Sequence, residues 1–143
     1  MTEYNAEEIL RQLQVVEPFQ GENGKYGYRN KETGEVVAEC RYDKAYVFES
    51  PLAIVEIDGK RGLVDHSGRE VAPCRYDVIY NFIECGLAKV VRNGKNGYID
   101  ATGRECVPCE YEFLDDFNDG VALAAKDGQM FFIDTEGRLT NGM

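Results

Sequence analysis

Between Leu87 and Pro108 the chain reads LAKVVRNGKNGYIDATGRECVP. Leu87, Lys89 and Val91 alternate with Ala88, Val90 and Arg92, the period-two pattern of a strand. Asn93-Gly94 follows, and both residues accept the positive φ that a two-residue hairpin turn requires. Gly94 to Asp100 is then the return strand. Asp100-Ala101-Thr102-Gly103 makes a second turn, because the Asp side chain can bond the backbone downstream and the Gly can take positive φ. Arg104 to Val107 is a third strand, ended or placed at an edge by Pro108. The stretch predicts a three-stranded antiparallel meander.

Working outward, the same pattern recurs. GKYGYRN starts at Gly24, GKRGLVD at Gly59, GKNGYID at Gly94 and GQMFFID at Gly128, spacings of 35, 35 and 34 residues. CRYD starts at Cys40 and Cys74, and CEYE at Cys109. Phe48, Phe82 and Phe117 each follow the Tyr of that motif by six residues. A fixed period of this length marks a repeat architecture. One meander buries too little to fold alone, so neighbouring copies must cover its apolar face. Tyr42, Tyr76 and Tyr111, with the three Phe, are the expected packing between copies. The fold class expected is all-β: tandem three-stranded antiparallel meanders stacked into a curved array.

This pattern, G-K-x-G-Y-x-D-x-x-G-x-x-V-x-P-x-Y-D followed by F-x-x-G-L-A-x-V, resembles the bacterial WG (KWG) repeat family from Gly24 onward. The family's signature Trp is absent, and Tyr26, Arg61, Asn96 and Met130 stand at its positions. In the last copy Phe131 also replaces the motif Gly. The resemblance implies a non-catalytic repeat module and no more.

The chain therefore divides, within one repeat domain over 1–143, into repeats at 24–58, 59–93 and 94–127 and a truncated fourth at 128–143. The N-terminus reads differently. Asn5 and Glu8 fit a helix-opening pair, and Ile9, Leu10, Leu13 and Val16 fall at helical spacing. Glu17-Pro18 stops the run. A short helix over 6–16 is expected to cap the first repeat.

Composition excludes several classes. The 143 residues carry 16 basic and 26 acidic side chains, net −10, the opposite of what phosphate contacts to nucleic acid need. No run approaches the roughly 20 apolar residues of a membrane span. The polar start MTEYNAEEILRQLQ lacks the form of a signal peptide. Five cysteines cannot all pair, which fits a reducing compartment, so a cytoplasmic protein without membrane or nucleic-acid partners is expected.

No catalytic set assembles, and an enzyme is not expected. The single His, His66, sits with Ser67 in one turn, where no relay can form. Cys106-Val107-Pro108-Cys109 has redox or zinc spacing but ends a strand, and only Cys109 recurs, as Cys40 and Cys74. Those three read as small buried apolar residues. Asp65, Asp100 and Asp134, with Asn30, recur before turns, and one carboxylate per copy does not make a calcium site. No phosphate-cradling glycine motif occurs. No cofactor or metal is expected.

Residues 94–127 carry net −5, whereas 59–93 carry +2. The densest run is Glu110-Tyr111-Glu112-Phe113-Leu114-Asp115-Asp116-Phe117-Asn118-Asp119. The repeat does not require these charges, so Glu110, Glu112, Asp115, Asp116 and Asp119 are the candidate partner-binding residues. The reading is a non-catalytic protein-binding scaffold that engages a basic partner. Two alternatives stand beside it: a small acidic inhibitor or immunity-type protein, and a glycan or small-ligand module using Tyr26, Tyr28, Tyr46, Tyr80 and Tyr98.

Overall fold

The computed structural model describes residues 6–140. Asn5, half of the expected capping pair, lies outside them. The chain forms two compact units, Met1–Cys74 and Arg75–Met143.

Helix α1 spans Ala6–Leu13, with Glu7 and Glu8 in its first turn and Arg11 in its last, the order that suits a helix dipole. It ends earlier than the apolar spacing suggested. Val16 belongs instead to strand β1 (Val16–Gln20) and is buried there. Pro18 does not break the chain, because β1 is an edge strand and an edge position has no need of its N–H. β1 pairs with β2 (Tyr26–Asn30), and β2 with β3 (Val36–Tyr42), in the first antiparallel sheet.

The next three sheets have four strands each. The second holds β4 (Lys44–Ala45), β5 (Leu52–Ile57), β6 (Lys60–Asp65) and β7 (Glu70–Tyr76). The third holds β8 (Val78–Phe82), β9 (Leu87–Arg92), β10 (Lys95–Asp100) and β11 (Glu105–Tyr111). The fourth holds β12 (Phe113–Leu114), β13 (Val121–Lys126), β14 (Gln129–Asp134) and β15 (Leu139–Thr140). Each contains the meander read from the sequence. Each adds a strand where the sequence predicts a loop, β4, β8 or β12, formed just after the Tyr-acid pair. β15 also falls in a tail without a sequence signal.

The hairpin turns are where the dipeptides place them. Asp58, Asn93 and Asp127 have φ of 52°, 54° and 53°, each followed by a Gly at positive φ. Asp65, Asp100 and Asp134 close the other turn. The Oδ1 of Asp100 accepts the N–H of Thr102 at 2.9 Å and of Arg104 at 3.1 Å, and Asp65 and Asp134 do the same two and four residues downstream.

Pro108 does not end β11. Asn96 pairs with Tyr111 and Tyr98 with Val107, so Pro108, Cys109 and Glu110 bulge opposite the single residue Gly97. The first sheet repeats this, with residues 39–41 opposite Gly27. A Cβ on Gly97 would lie 2.4 Å from the Val107 carbonyl oxygen, and one on Gly27 2.3 Å from that of Ala38. The motif glycine is therefore a backbone-clearance requirement. In the fourth sheet, β15 pairs with β14 only at Phe132 and Ile133. Position 131 is free of that crossing, and Phe131 sets its ring edge-on to Tyr111 at 5.9 Å.

Within each unit two consecutive sheets share a core. In the first unit Tyr28, Ala38 and Tyr42 of the first sheet pack with Phe48, Ala53, Val55 and Val64. In the second, Tyr98, Val107 and Tyr111 pack with Leu114, Ala122, Ala124 and Ile133. The contact is built alike. The Tyr28 hydroxyl donates to the Tyr46 carbonyl at 2.7 Å beside Phe48, at 5.2 Å between rings. The Tyr98 hydroxyl donates to the Asp115 carbonyl at 2.6 Å beside Phe117, at 4.9 Å. Burying these rings supplies apolar stabilisation, and the bonded hydroxyl keeps each Tyr from carrying an unsatisfied polar group inside.

The first sheet departs from the others on its other face. Arg29 stands where Val64, Ile99 and Ile133 are buried. It pairs with Glu17 at 3.1 Å and lies over the Phe19 ring at 5.0 Å. A charged outer face is what an end repeat needs.

Candidate binding surface

The acid of each Tyr-acid pair has a structural duty. Asp58 N–H donates to Asp43 Oδ2 at 2.7 Å, Asn93 N–H to Asp77 Oδ2 at 2.8 Å and Asp127 N–H to Glu112 Oε1 at 2.9 Å. One carboxylate thus holds the first residue of a positive-φ turn about fifteen positions ahead. The bond from Asp127 keeps the Glu112 carboxyl below its ordinary pKa. Sequence spacing alone did not reveal this partnership, since the two groups meet only after the strands pair.

All five candidate acids are exposed, and they lie along one run from the end of β11 through β12 into the loop before β13. Their surroundings differ. Glu110 pairs with Lys126 at 3.1 Å, Glu112 with Lys95 at 3.5 Å and Asp116 with Lys89 at 3.6 Å. Asp115 accepts the Asp116 N–H at 2.9 Å, and Asp119 occupies a turn at φ 52°. Among the described residues no cation lies within ion-pair distance of Asp115 or Asp119. The net negative field of the run is concentrated on those two.

The tyrosines separate. Tyr28 and Tyr98 are core residues, 0% and 1% exposed, so neither can stack on a ligand as the glycan reading supposed. Tyr46 and Tyr80 remain exposed. Tyr42, Tyr76 and Tyr111 are all buried at equivalent positions. Arg41 lies 4.8 Å over Tyr42 and pairs with Glu70 at 3.0 Å. Arg75 lies 5.3 Å over Tyr76 and pairs with Glu105 at 3.2 Å, while the Tyr76 hydroxyl donates to Glu105 at 2.9 Å. Glu110 and Leu139 replace the Arg and Glu beside Tyr111, and Phe131 supplies the contact instead.

The five cysteines are free thiols. Cys40, Cys74 and Cys109 are half-buried rather than fully buried, and Cys40 and Cys109 lie where the strand bulges past the motif glycine. Burial pushes Cys106 up, Cys74 up to about 11 and Cys109 up to about 12, the reverse of what thiolate chemistry needs. The His66 ring stacks on the buried Phe48 at 4.2 Å. Among the described residues no three His, Cys, Asp or Glu side chains converge as metal ligands, and no helix is long and apolar enough to cross a membrane.

A family model described as a WG containing repeat matches three consecutive segments, residues 26–60, 62–95 and 97–129. No curated protein matches the chain.

Proposed function

The chain belongs to the WG-repeat family, and from that premise we propose that it is a non-catalytic module that binds a basic protein partner through the run Glu110–Asp119. The observation that carries this reading is the contrast between matching loops. Tyr46-Val47-Phe48-Glu49-Ser50 in the first unit holds one acid, and Asp115-Asp116-Phe117-Asn118-Asp119 in the second holds three. Phe48 and Phe117 do the same packing in both, so the added charge is not needed to seat the loop. A concentrated negative field speeds encounter with a positive surface and contributes more to on-rate than to contact energy. A cytoplasmic setting accords with the reduced thiols.

The test starts with a basic protein captured at low ionic strength and identified. Its association rate is then measured against the wild type and the triple variant Asp115→Asn, Asp116→Asn, Asp119→Asn. The rate should fall on the order of tenfold and lose most of its salt dependence. Equal rates and equal salt slopes would remove the run from the interface.

A further inference from the structure

Asn-Gly occurs at Asn23-Gly24, Asn93-Gly94, Asn96-Gly97 and Asn141-Gly142, the last outside the described residues. This dipeptide carries a reaction of its own. The Gly amide nitrogen attacks the side-chain carbonyl carbon of Asn, the new C–N bond closes a cyclic imide, and the side-chain nitrogen leaves as ammonia. Water then opens the imide at one carbonyl or the other, leaving aspartate or isoaspartate. Glycine favours the attack because no Cβ obstructs its nitrogen. A folded chain resists the reaction where hydrogen bonds hold the side-chain amide or the attacking N–H.

Asn23 is held on both counts. Its Nδ2 donates to the Cys40 carbonyl at 3.0 Å and its Oδ1 accepts the Lys25 N–H at 3.0 Å, while the Gly24 N–H donates to the Gly21 carbonyl at 3.0 Å. Asn96 is held as firmly. Its Nδ2 donates to the carbonyls of Tyr111 at 3.1 Å and Glu112 at 3.3 Å, and Gly97 sits in the ladder opposite Val90. Asn93 is held on neither count. It stands at the exposed tip of the β9–β10 hairpin, and only its backbone N–H is tied, to Asp77 Oδ2 at 2.8 Å. Among the described residues, neither the Asn93 side-chain amide nor the Gly94 N–H has a hydrogen-bond partner. A Cβ on Gly94 would meet nothing within 4 Å, so an imide ring has room there. Exposure alone does not separate the sites, since Asn23 is exposed too.

We propose that Asn93 is a site of spontaneous deamidation and that the fold protects Asn23 and Asn96 from the same reaction. The attack needs Gly94 N to swing toward the Asn93 side chain. It therefore runs through local opening of the hairpin tip, which costs less than opening the sheet. The two products differ in consequence. Aspartate at 93 reproduces what Asp58 and Asp127 already place at the matching turns, at φ 52° and 53° against 54° for Asn93. Isoaspartate routes the main chain through Cβ and Cγ. It adds one atom to a two-residue turn between the paired Arg92 and Lys95, and such a turn no longer matches the twist of its strands. Aspartate therefore leaves the unit's stability as it is, and isoaspartate lowers it.

Incubation of the full folded chain in mildly alkaline buffer tests this. Digestion after lysine then puts Asn23, Asn93 and Asn96 in separate peptides, and mass spectrometry reads the exchange of NH for O in each. Asn93 should convert at least about tenfold faster than the other two, which must first break several hydrogen bonds of ordinary net strength. In denaturant those bonds are gone and the three rates should converge. The Asn93→Asp variant should unfold at the wild-type denaturant midpoint, and the isoaspartyl form, separated by chromatography, at a lower one. An Asn93 that converts no faster than Asn23 or Asn96 in the folded chain overturns the proposal, as does a gap in rates that survives unfolding. An isoaspartyl form as stable as the wild type would overturn the consequence drawn for the turn.

Discussion

Tyr42 and Tyr111, at matching places in the two units, are packed by different chemistry. In the first, Tyr42 sits under Arg41, which is tied to Glu70. In the second, Tyr111 has lost both charged partners and meets Phe131 edge-on. Around them the Tyr28–Phe48 and Tyr98–Phe117 contacts are nearly superposable in kind. The buried Tyr and the Tyr-under-Phe contact are what the scaffold keeps, and the group lying against the repeat Tyr is interchangeable. The exchange became possible because β14 escapes the glycine crossing that fixes Gly27 and Gly97.

The largest difference between the units should come from the two phenylalanines. Phe48 is fully buried and also stacks on His66, whereas Phe117 is half-buried. Phe48→Ala should cost about 3–5 kcal/mol and Phe117→Ala clearly less, read from denaturant unfolding. Equal costs would break the comparison. Next come the glycines. Gly27→Ala and Gly97→Ala should each cost about 2–3 kcal/mol, since the added Cβ meets backbone that cannot move aside cheaply. A cost near zero in either unit would mean that the bulge is soft.

The smallest effect is on the acid limb of stability. Burial pushes the Glu105 carboxyl up, but the Cys109 N–H, the Tyr76 hydroxyl and the Arg92 guanidinium outweigh it, and its pKa lies below the ordinary value. A carboxylate with a lowered folded pKa stabilises above its unfolded pKa, about 4.3. That contribution is lost as pH falls through the folded value. Glu105→Gln should therefore lower stability at neutral pH by about 1–2 kcal/mol and flatten its fall below about pH 4. Melting temperatures measured from pH 7 to pH 3 read both parts, and an unchanged acid slope would deny Glu105 the role.

Much of this was legible in the residues. Asn93-Gly94 and Asp100 to Gly103 announce turns through local chemistry, so the meander and its period follow directly. Two of the extra strands, β4 and β12, did not show because they have two residues and no alternation to read. The helix stops before Pro18 as read, but the edge strand around Pro18 did not show, because such a strand tolerates the missing N–H. Asp43, Asp77 and Glu112 were visible as a column of acids, yet their turn-holding bonds exist only once distant strands pair.

Within each unit the two sheets shield each other through a Tyr of one and a Phe after it, Tyr28 with Phe48 and Tyr98 with Phe117. A double-mutant cycle on Tyr98→Leu and Phe117→Leu, run beside the same cycle on Tyr28 and Phe48, measures that coupling by equilibrium unfolding. A coupling of about 0.5–1.5 kcal/mol in both units is the expected result. Costs that add to within about 0.3 kcal/mol in both would contradict it.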